Sequence, residues 1–290
     1  MKIIRSPRSM AAWSERLRRK GVTIGFVPTM GALHDGHRSL IRAARLRCDA
    51  LIVSIFVNPT QFSPTEDLST YPRPIARDRA LCLEEGVDVC FEPTARNMYP
   101  ESFQATVTVP ALARRWEGEA RPHHFAGVAT VVTKLFGMVQ PHLALFGQKD
   151  YQQAALVRQL VNDLNLGVAI LVRPTVRERD GLAMSSRNVY LSPDERRVAP
   201  LLFQALRVGR QMIVSGMNDV AAIEQIMRQT IEQAPTIHVE YLVVCDPDSL
   251  EPLSVVAART VLLGAVRIGS IRLIDNLLVK MPGRKSRVTR

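Results

Sequence analysis

The sequence predicts an α/β chain, a doubly wound, mostly parallel sheet followed by a smaller α+β module. Three observations carry that expectation. Apolar, β-branched runs at residues 22–27, 50–57, 87–91, 142–146 and 168–172 each have the length of a buried strand. Helical segments lie between them, and such alternation implies crossover connections and parallel pairing. At Arg173-Pro174 the alternation stops, which sets a boundary between residues 1–173 and residues 174–281.

Residues 8–20 are expected to form a helix, with Met10, Trp13 and Leu17 on one face. The run at 22–27 then reads as a buried strand, and Pro28, which has no N–H, is expected to end its ladder. Gly31 and Gly36 let the chain turn. From Gly36 a helix follows with Leu40, Ile41, Ala44 and Leu46 among its apolar positions. Such a helix start offers free N–H groups and partial positive charge to an anion. His34 and His37 sit on this turn, where imidazoles can donate to phosphate oxygens and carry charge when needed.

The strand at 50–57 ends in Asn58-Pro-Thr-Gln-Phe62. Ligands of parallel sheets bind beyond the C-terminal strand ends, so this loop and the histidine turn should open on the same side. Asn58 and Gln61 are uncharged donor-acceptors suited to a hydroxylated ligand. A helix is expected at 74–86, a strand at 87–91, a short extra strand at 105–109 and a helix at 127–139. The strand at 142–146 runs into Gly147-Gln-Lys-Asp-Tyr-Gln-Gln153. Lys149 could place a point charge on a phosphate, and Gln153, one turn into the next helix, could face the same crevice. With the strand at 168–172, this half is Rossmann-like.

In the second half, Ser185, Ser186 and Arg187 combine two hydroxyls with a forked donor, which suits the spread charge of a phosphate chain in transfer. Helices are expected at 193–214, after a Ser192 cap, and at 219–233. Strands are expected at 237–245 and 260–267. Residues 282–290 are basic and expected to be a disordered tail.

Composition narrows the class. A chain with 47% hydrophobic and 22% charged residues reads as a soluble globular protein. Its apolar runs are too short to cross a bilayer. The first residues hold no apolar signal-peptide core, so a cytoplasmic location is expected. Cys48, Cys82, Cys90 and Cys245 are scattered, as buried reduced thiols would be. The net charge of +11 would admit a nucleic-acid partner, but four of the charges lie in the tail. No aromatic residues interleave with the basic clusters, so an anionic small molecule is favoured. His34 and His37 lack further ligands at zinc spacing.

Taken together, six blocks resemble the pantothenate synthetase (pantoate–β-alanine ligase) family: Phe26-Val-Pro-Thr-Met-Gly-Ala-Leu-His-Asp-Gly-His37, Val53-Ser-Ile-Phe-Val-Asn-Pro-Thr-Gln-Phe62, Tyr71-Pro-Arg73, Phe146-Gly-Gln-Lys-Asp-Tyr-Gln-Gln153, Gly181-Leu-Ala-Met-Ser-Ser-Arg-Asn188 and Arg272-Leu-Ile-Asp-Asn276. The resemblance implies ATP-dependent joining of pantoate to β-alanine through an acyl adenylate, with Mg²⁺, in a homodimer. It assigns ATP to Met30, Gly31, Ala32, Leu33, His34, Asp35, Gly36 and His37, to Gly147, Gln148, Lys149 and Asp150, and to Val176, Met184, Ser185, Ser186 and Arg187. Gln61 would hold pantoate and border β-alanine, Gln153 would hold pantoate, and His37 would be the proton donor.

The chain departs from the pattern at two places. Arg77 stands where the family often has an acid beside Asp78, which weakens a metal role for that segment and leaves Asp78 as its one candidate ligand. His123 replaces the glycine of Arg-Pro-Gly-His, which puts local loop geometry in question. Two other readings compete. One is a different adenylyltransferase sharing His-x-Gly-His, acting on a phosphorylated substrate; the other is an RNA-binding module. Asn58, Gln61 and Gln153 favour the ligase.

Overall fold

The computed structural model describes residues 1–64 and 66–281. The chain divides into two compact units. The first holds Met1–Val176 and Met184–Ser186; the second holds Arg177–Ala183 and the chain from Arg187 onward. The chain passes between the units three times, first just after Val176, within a few residues of the expected boundary, and again after Ala183 and Ser186. Met184 donates its N–H to the Val176 carbonyl at 3.0 Å, while Arg177 and Ala183 form an antiparallel bridge within the second unit. The tail at 282–290 lies outside the described residues.

The first unit runs β1 (Lys2–Ile4), α1 (Pro7–Arg18), β2 (Ile24–Thr29), α2 (Asp35–Arg45), β3 (Ala50–Ile55), a 3-10 turn (Pro59–Gln61), α3 (Ile75–Glu84) and β4 (Val89–Phe91). Three one-turn helices follow, α4 (Ala95–Met98), α5 (Pro110–Ala113) and α6 (Glu117–Ala120). Then come α7 (His124–Val139), β5 (Leu143–Gly147), α8 (Tyr151–Asp163) and β6 (Ala169–Arg173). All six strands are parallel, in the order β1-β4-β3-β2-β5-β6. From β2 the chain winds outward through β3 and β4, then returns to lay β5 on the other side of β2. That reversal places the switch point, where such sheets take ligands, at the C-terminal ends of β2 and β5.

Strand alternation sorts the side chains. Val27, Leu51, Val53, Leu143 and Leu145 join Leu40, Ile41 and Ala44 of α2 and Leu81 of α3 in one core cluster. Phe26 faces the other way and meets Phe136 of α7 edge-on, with ring centroids 6.3 Å apart.

Several expectations are corrected. Strand β2 continues through Pro28 to Thr29, paired with β3 throughout. The Thr23 and Thr29 carbonyls face β3, whereas the Ile24 N–H and C=O face His142 on the β5 side. Pro28 is in phase with Ile24, and on that side the ladder stops at Phe26, so the missing N–H breaks no strand pair. Strand β1, too short to show as an apolar run, pairs with β4 at the sheet edge. Leu46 caps α2 rather than extending its apolar face and is 83% exposed. Residues 105–109 form no strand among the described residues; the Val107 N–H donates to Thr130 Oγ1 of α7 at 2.9 Å.

In the second unit, α9 (Pro193–Val198), α10 (Leu201–Val214) and α11 (Val220–Glu232) precede an antiparallel sheet of β7 (Ile237–Cys245), β8 (Arg259–Ile268) and β9 (Ile271–Lys280). The expected helix at 193–214 is two helices, because Pro200 lacks an N–H and its ring crowds the preceding turn. Ser192 and Glu195 form a reciprocal cap at the start of α9. Leu202 and Leu206 of α10, Ile223 and Met227 of α11, and Leu242, Leu262 and Val266 of the sheet share one core. The Arg177 guanidinium lies 3.7 Å from the Phe203 ring centroid and grips buried Asp275 with bonds of 2.5 and 2.9 Å.

Candidate active site

The turn after β2 is built to present two imidazoles. Gly31 (φ +88°) and Ala32 (φ +50°) are both left-handed, and they reverse the chain before α2. His34 is the N-cap: its Nδ1 accepts from the Gly36 N–H at 3.1 Å. Its own N–H donates to His37 Nδ1 at 3.3 Å, completing a reciprocal cap made of two imidazoles. The ring centroids are 4.2 Å apart. Gly36 is required by this arrangement, since a Cβ there would lie 2.7 Å from His34 Cε1.

Each Nδ1 accepts a hydrogen bond, so each neutral ring carries its proton on Nε2. Burial, with the Lys149 charge adding to it, lowers His34 to about 4. Burial, followed by His34 and Lys149, lowers His37 to about 3. The rings are thus neutral Nε2–H donors at neutral pH, not the cations the sequence allowed. The positive charge comes from Lys149, which follows β5 at the switch point and lies 3.7 Å from Asp150.

The amides of the loop leading into this helix are committed within the protein. Gly31 N–H donates to Thr29 Oγ1 at 3.2 Å, and the Ala32 and Leu33 N–H groups donate to Asp78 at 2.8 Å each. That stretch of backbone therefore has its donors engaged, while the Nε2–H groups of both imidazoles point away from their Nδ1 bonds. Asp78, the candidate metal ligand, is 1% exposed, and its two oxygens are taken by these amides; burial raises its pKa. The structure gives it to the loop. Arg77 beside it is exposed.

The turn after β3 presents Gln61. Asn58 Nδ2 donates to Gln61 Oε1 at 3.1 Å and to the Gly127 carbonyl at 3.2 Å. Asn58 Oδ1 accepts from Tyr99 Oη at 2.7 Å and Thr60 Oγ1 at 3.0 Å. At 1% exposure Asn58 has both side-chain polar atoms bonded within the protein and supports the turn that presents Gln61. Gln61 Nε2 reaches Met30 Sδ at 3.2 Å, which brings the two turns together. Gln153 is half-buried on the first turn of α8.

The Gln61 main chain is held from α7. Arg121 Nη1 must donate to His124 Nε2 (3.3 Å), which leaves the His124 proton on Nδ1 to donate to the Gln61 carbonyl at 3.0 Å. Burial, then the Arg121 charge, lowers His124 to about 4, consistent with a neutral ring. Arg121 also forms a forked pair with Glu66 at 3.0 and 2.6 Å. His123 sits at φ −98°, which any residue adopts, so its replacement of glycine leaves the loop unstrained.

Met184, Ser185 and Ser186 belong to the first unit with Val176, and Ser186 Oγ lies 3.1 Å from Tyr71 Oη. Arg187 belongs to the second unit, so the expected Ser-Ser-Arg group is divided between the two. Sequence reasoning missed Arg121, His124 and Gly127 as site builders. The spacing of Arg121 and His124 ahead of a helix was the available signal.

A pantoate-beta-alanine ligase family model matches residues 2–278. The chain belongs to that family. Among curated members of the ligase family, pantothenate synthetase from Desulfatibacillum aliphaticivorans is 50% identical over 280 residues, covering 97% of this chain and 100% of its own. The Heliobacterium modesticaldum protein of the same name is also 50% identical, over 281 residues. The crystal structure of pantothenate synthetase from Thermus thermophilus superposes with a TM-score of 0.91 at 45% identity, covering 96% of this chain and 99% of that one. A pantoate-beta-alanine ligase from Francisella tularensis, complexed with beta-gamma ATP and beta-alanine, gives a TM-score of 0.78 at 35% identity over 96% and 97% of the two chains.

Proposed function

We propose that this ligase condenses pantoate with β-alanine at the expense of ATP, through a pantoyl adenylate. The observation that carries the reading is the pair of neutral imidazoles, each with its proton on Nε2, beside Lys149 and on the turn whose Met30 meets Gln61. The ligase from Francisella tularensis, complexed with beta-gamma ATP and beta-alanine, supports ATP and β-alanine as two of these substrates.

A carboxylate resists amine attack because oxide is a poor leaving group. The pantoate carboxylate therefore attacks the α-phosphorus of ATP in line, and pyrophosphate leaves. His34 and His37 donate Nε2–H to phosphate oxygens as charge builds there, and Lys149 adds a full positive charge. His37 acts as a neutral donor in this step rather than as an imidazolium. Gln61, held from both ends, orients pantoate together with Gln153, and Gln61 borders the amine site. The β-alanine amine then attacks the acyl carbonyl, AMP leaves and the nitrogen loses a proton. By resemblance the remaining ATP contacts come from Gly147, Gln148, Asp150, Val176, Met184, Ser185, Ser186 and, in the second unit, Arg187.

Among the described residues no cluster of three or more His, Cys, Asp or Glu is arranged to hold a metal. Mg²⁺ is assigned here to the substrate: it arrives on the ATP phosphates, its usual mode of binding. Homodimerisation rests on the resemblance. A cytoplasmic location is supported by the buried thiols of Cys82, Cys90 and Cys245. No helix among the described residues is long and apolar enough to cross a membrane.

The test is AMP and pyrophosphate release from Mg-ATP with the two acids supplied singly and together. Pantothenate and AMP forming only with both is the expected result. Silence with pantoate, but turnover on a phosphorylated acceptor, would overturn the reading.

A further inference from the structure

Among the described residues, Asp78 is the buried carboxylate whose two oxygens both face the histidine turn. It stands in the first turn of α3, 1% exposed, and its partners there are the amides of Ala32 and Leu33, at 2.8 Å each. Those amides point at it because Gly31 and Ala32 are left-handed. The fit is close, since a Cβ on Gly31 would lie 3.0 Å from Asp78 Oδ2 and 3.0 Å from Ile55 Cγ2. The next residue is His34, whose main-chain N–H fixes the His37 tautomer and whose ring accepts from Gly36. A continuous run of bonds therefore leads from the carboxylate to both imidazoles.

We propose that Asp78 is a positioning residue for adenylate formation: by gripping the Ala32 and Leu33 amides it sets the turn that aims the His34 and His37 Nε2–H groups. The chemistry of the grip requires a carboxylate. Two N–H donors need two acceptor oxygens. An amide of the same shape offers one oxygen and one NH₂, which would oppose a main-chain donor with another donor. The buried segment that resembles a metal-binding region in sequence thus acts here through the loop.

Asp78→Asn is the decisive variant, and the first readout needs no substrate. In the wild type, ¹⁵N NMR of the histidine side chains at pH 7 should show Nδ1 unprotonated and Nε2 protonated for both His34 and His37. In Asp78→Asn the two rings should become tautomer mixtures and titrate nearer the ordinary value. Pyrophosphate release with pantoate should fall about 10- to 100-fold, the range expected for groups displaced by about 1 Å. Gly31→Ala, which leaves the carboxylate intact but crowds it, should give the same spectral change if Asp78→Asn folds poorly. Arg79→Met serves as the control. It removes the forked pair with Glu92 from the same helix and should lower stability while leaving the histidine spectrum and the rate unchanged.

Wild-type histidine spectra in both Asp78→Asn and Gly31→Ala would overturn the proposal, as would a rate loss fully explained by the unfolded fraction. The inference rests on the ligase reading for its rate arm only. Absence of pyrophosphate release from the wild type would count against that reading and leave the NMR outcome to decide this one.

Discussion

Replacing Gly127 by alanine tests how the turn proposed to hold pantoate is supported. Gly127 lies in the first turn of α7, directly on the backbone of the 3-10 turn. An added Cβ would sit 2.5 Å from the Thr60 carbonyl oxygen, 2.6 Å from its carbon and 2.7 Å from Gln61 Cα. All three are main-chain atoms, so no side chain can swing away. Reaching an ordinary contact of 3.4 Å requires helix and turn to part by about 0.9 Å. The Asn58 bond to the Gly127 carbonyl, already 3.2 Å, would be lost. Overpacking of this kind costs about 1–3 kcal/mol. The better helix propensity of alanine returns about 1 kcal/mol, so the net stability change is about 0–2 kcal/mol. Activity should suffer far more, because a displacement near 1 Å at a positioning group costs up to about 100-fold. Steady-state kinetics with pantoate varied at saturating ATP and β-alanine, alongside a urea unfolding curve, separates the two. A wild-type kcat/KM for pantoate, or a loss no larger than the unfolded fraction accounts for, would refute the reasoning.

Three further outcomes are expected. Lys149→Met should abolish pantoate-dependent pyrophosphate release while leaving the urea midpoint nearly unchanged; near-normal release would remove Lys149 from the chemistry. His34 and His37, lowered to about 4 and about 3, should carry no charge in the free enzyme above pH ~5. Because the unfolded chain binds protons on these rings first, stability should fall as pH drops from about 6.5 toward about 4; an imidazole of the pair titrating near 6.5 by NMR would contradict the burial argument. Arg177→Met should cost the second unit about 3 kcal/mol, since it removes the cation paired with the buried Asp275 carboxylate and leaves it the neutral Asn276 N–H; urea unfolding measures it, and an unchanged midpoint would refute the cost.

What the sequence conveyed follows from what is local in the chain. The switch-point strands, the histidine turn and the Lys149 segment showed because an apolar run followed by glycine and a polar group is a contiguous pattern. Pro28 was misjudged because its effect depends on which neighbour it faces, and pairing on that side is set by where β5 stops. Residues 105–109 looked like a strand by composition, but their partner is the Thr130 side chain on a distant helix. Asn58 and Gln61 look alike in sequence, and only the arrival of Tyr99, Thr60 and Gly127 around Asn58 separates the supporting amide from the presenting one. Asp78 is the sharpest case: its residue type suited a cation, and what decides its role is a pair of amides some 45 positions earlier in the chain.

The imidazole pair that starts α2 has one more consequence. Each ring is tied into the helix terminus through its Nδ1, so its orientation is fixed before any ligand arrives. Under the function proposed above, little rotational freedom would remain to be surrendered on binding, and ATP would meet a site already shaped. The same economy makes the pair indivisible. Removing either ring uncaps the helix as well as deleting a donor, so alanine at His34 or His37 measures both losses together. Asparagine at position 34, able to close the helix but too short to reach a phosphate, would isolate the chemical part.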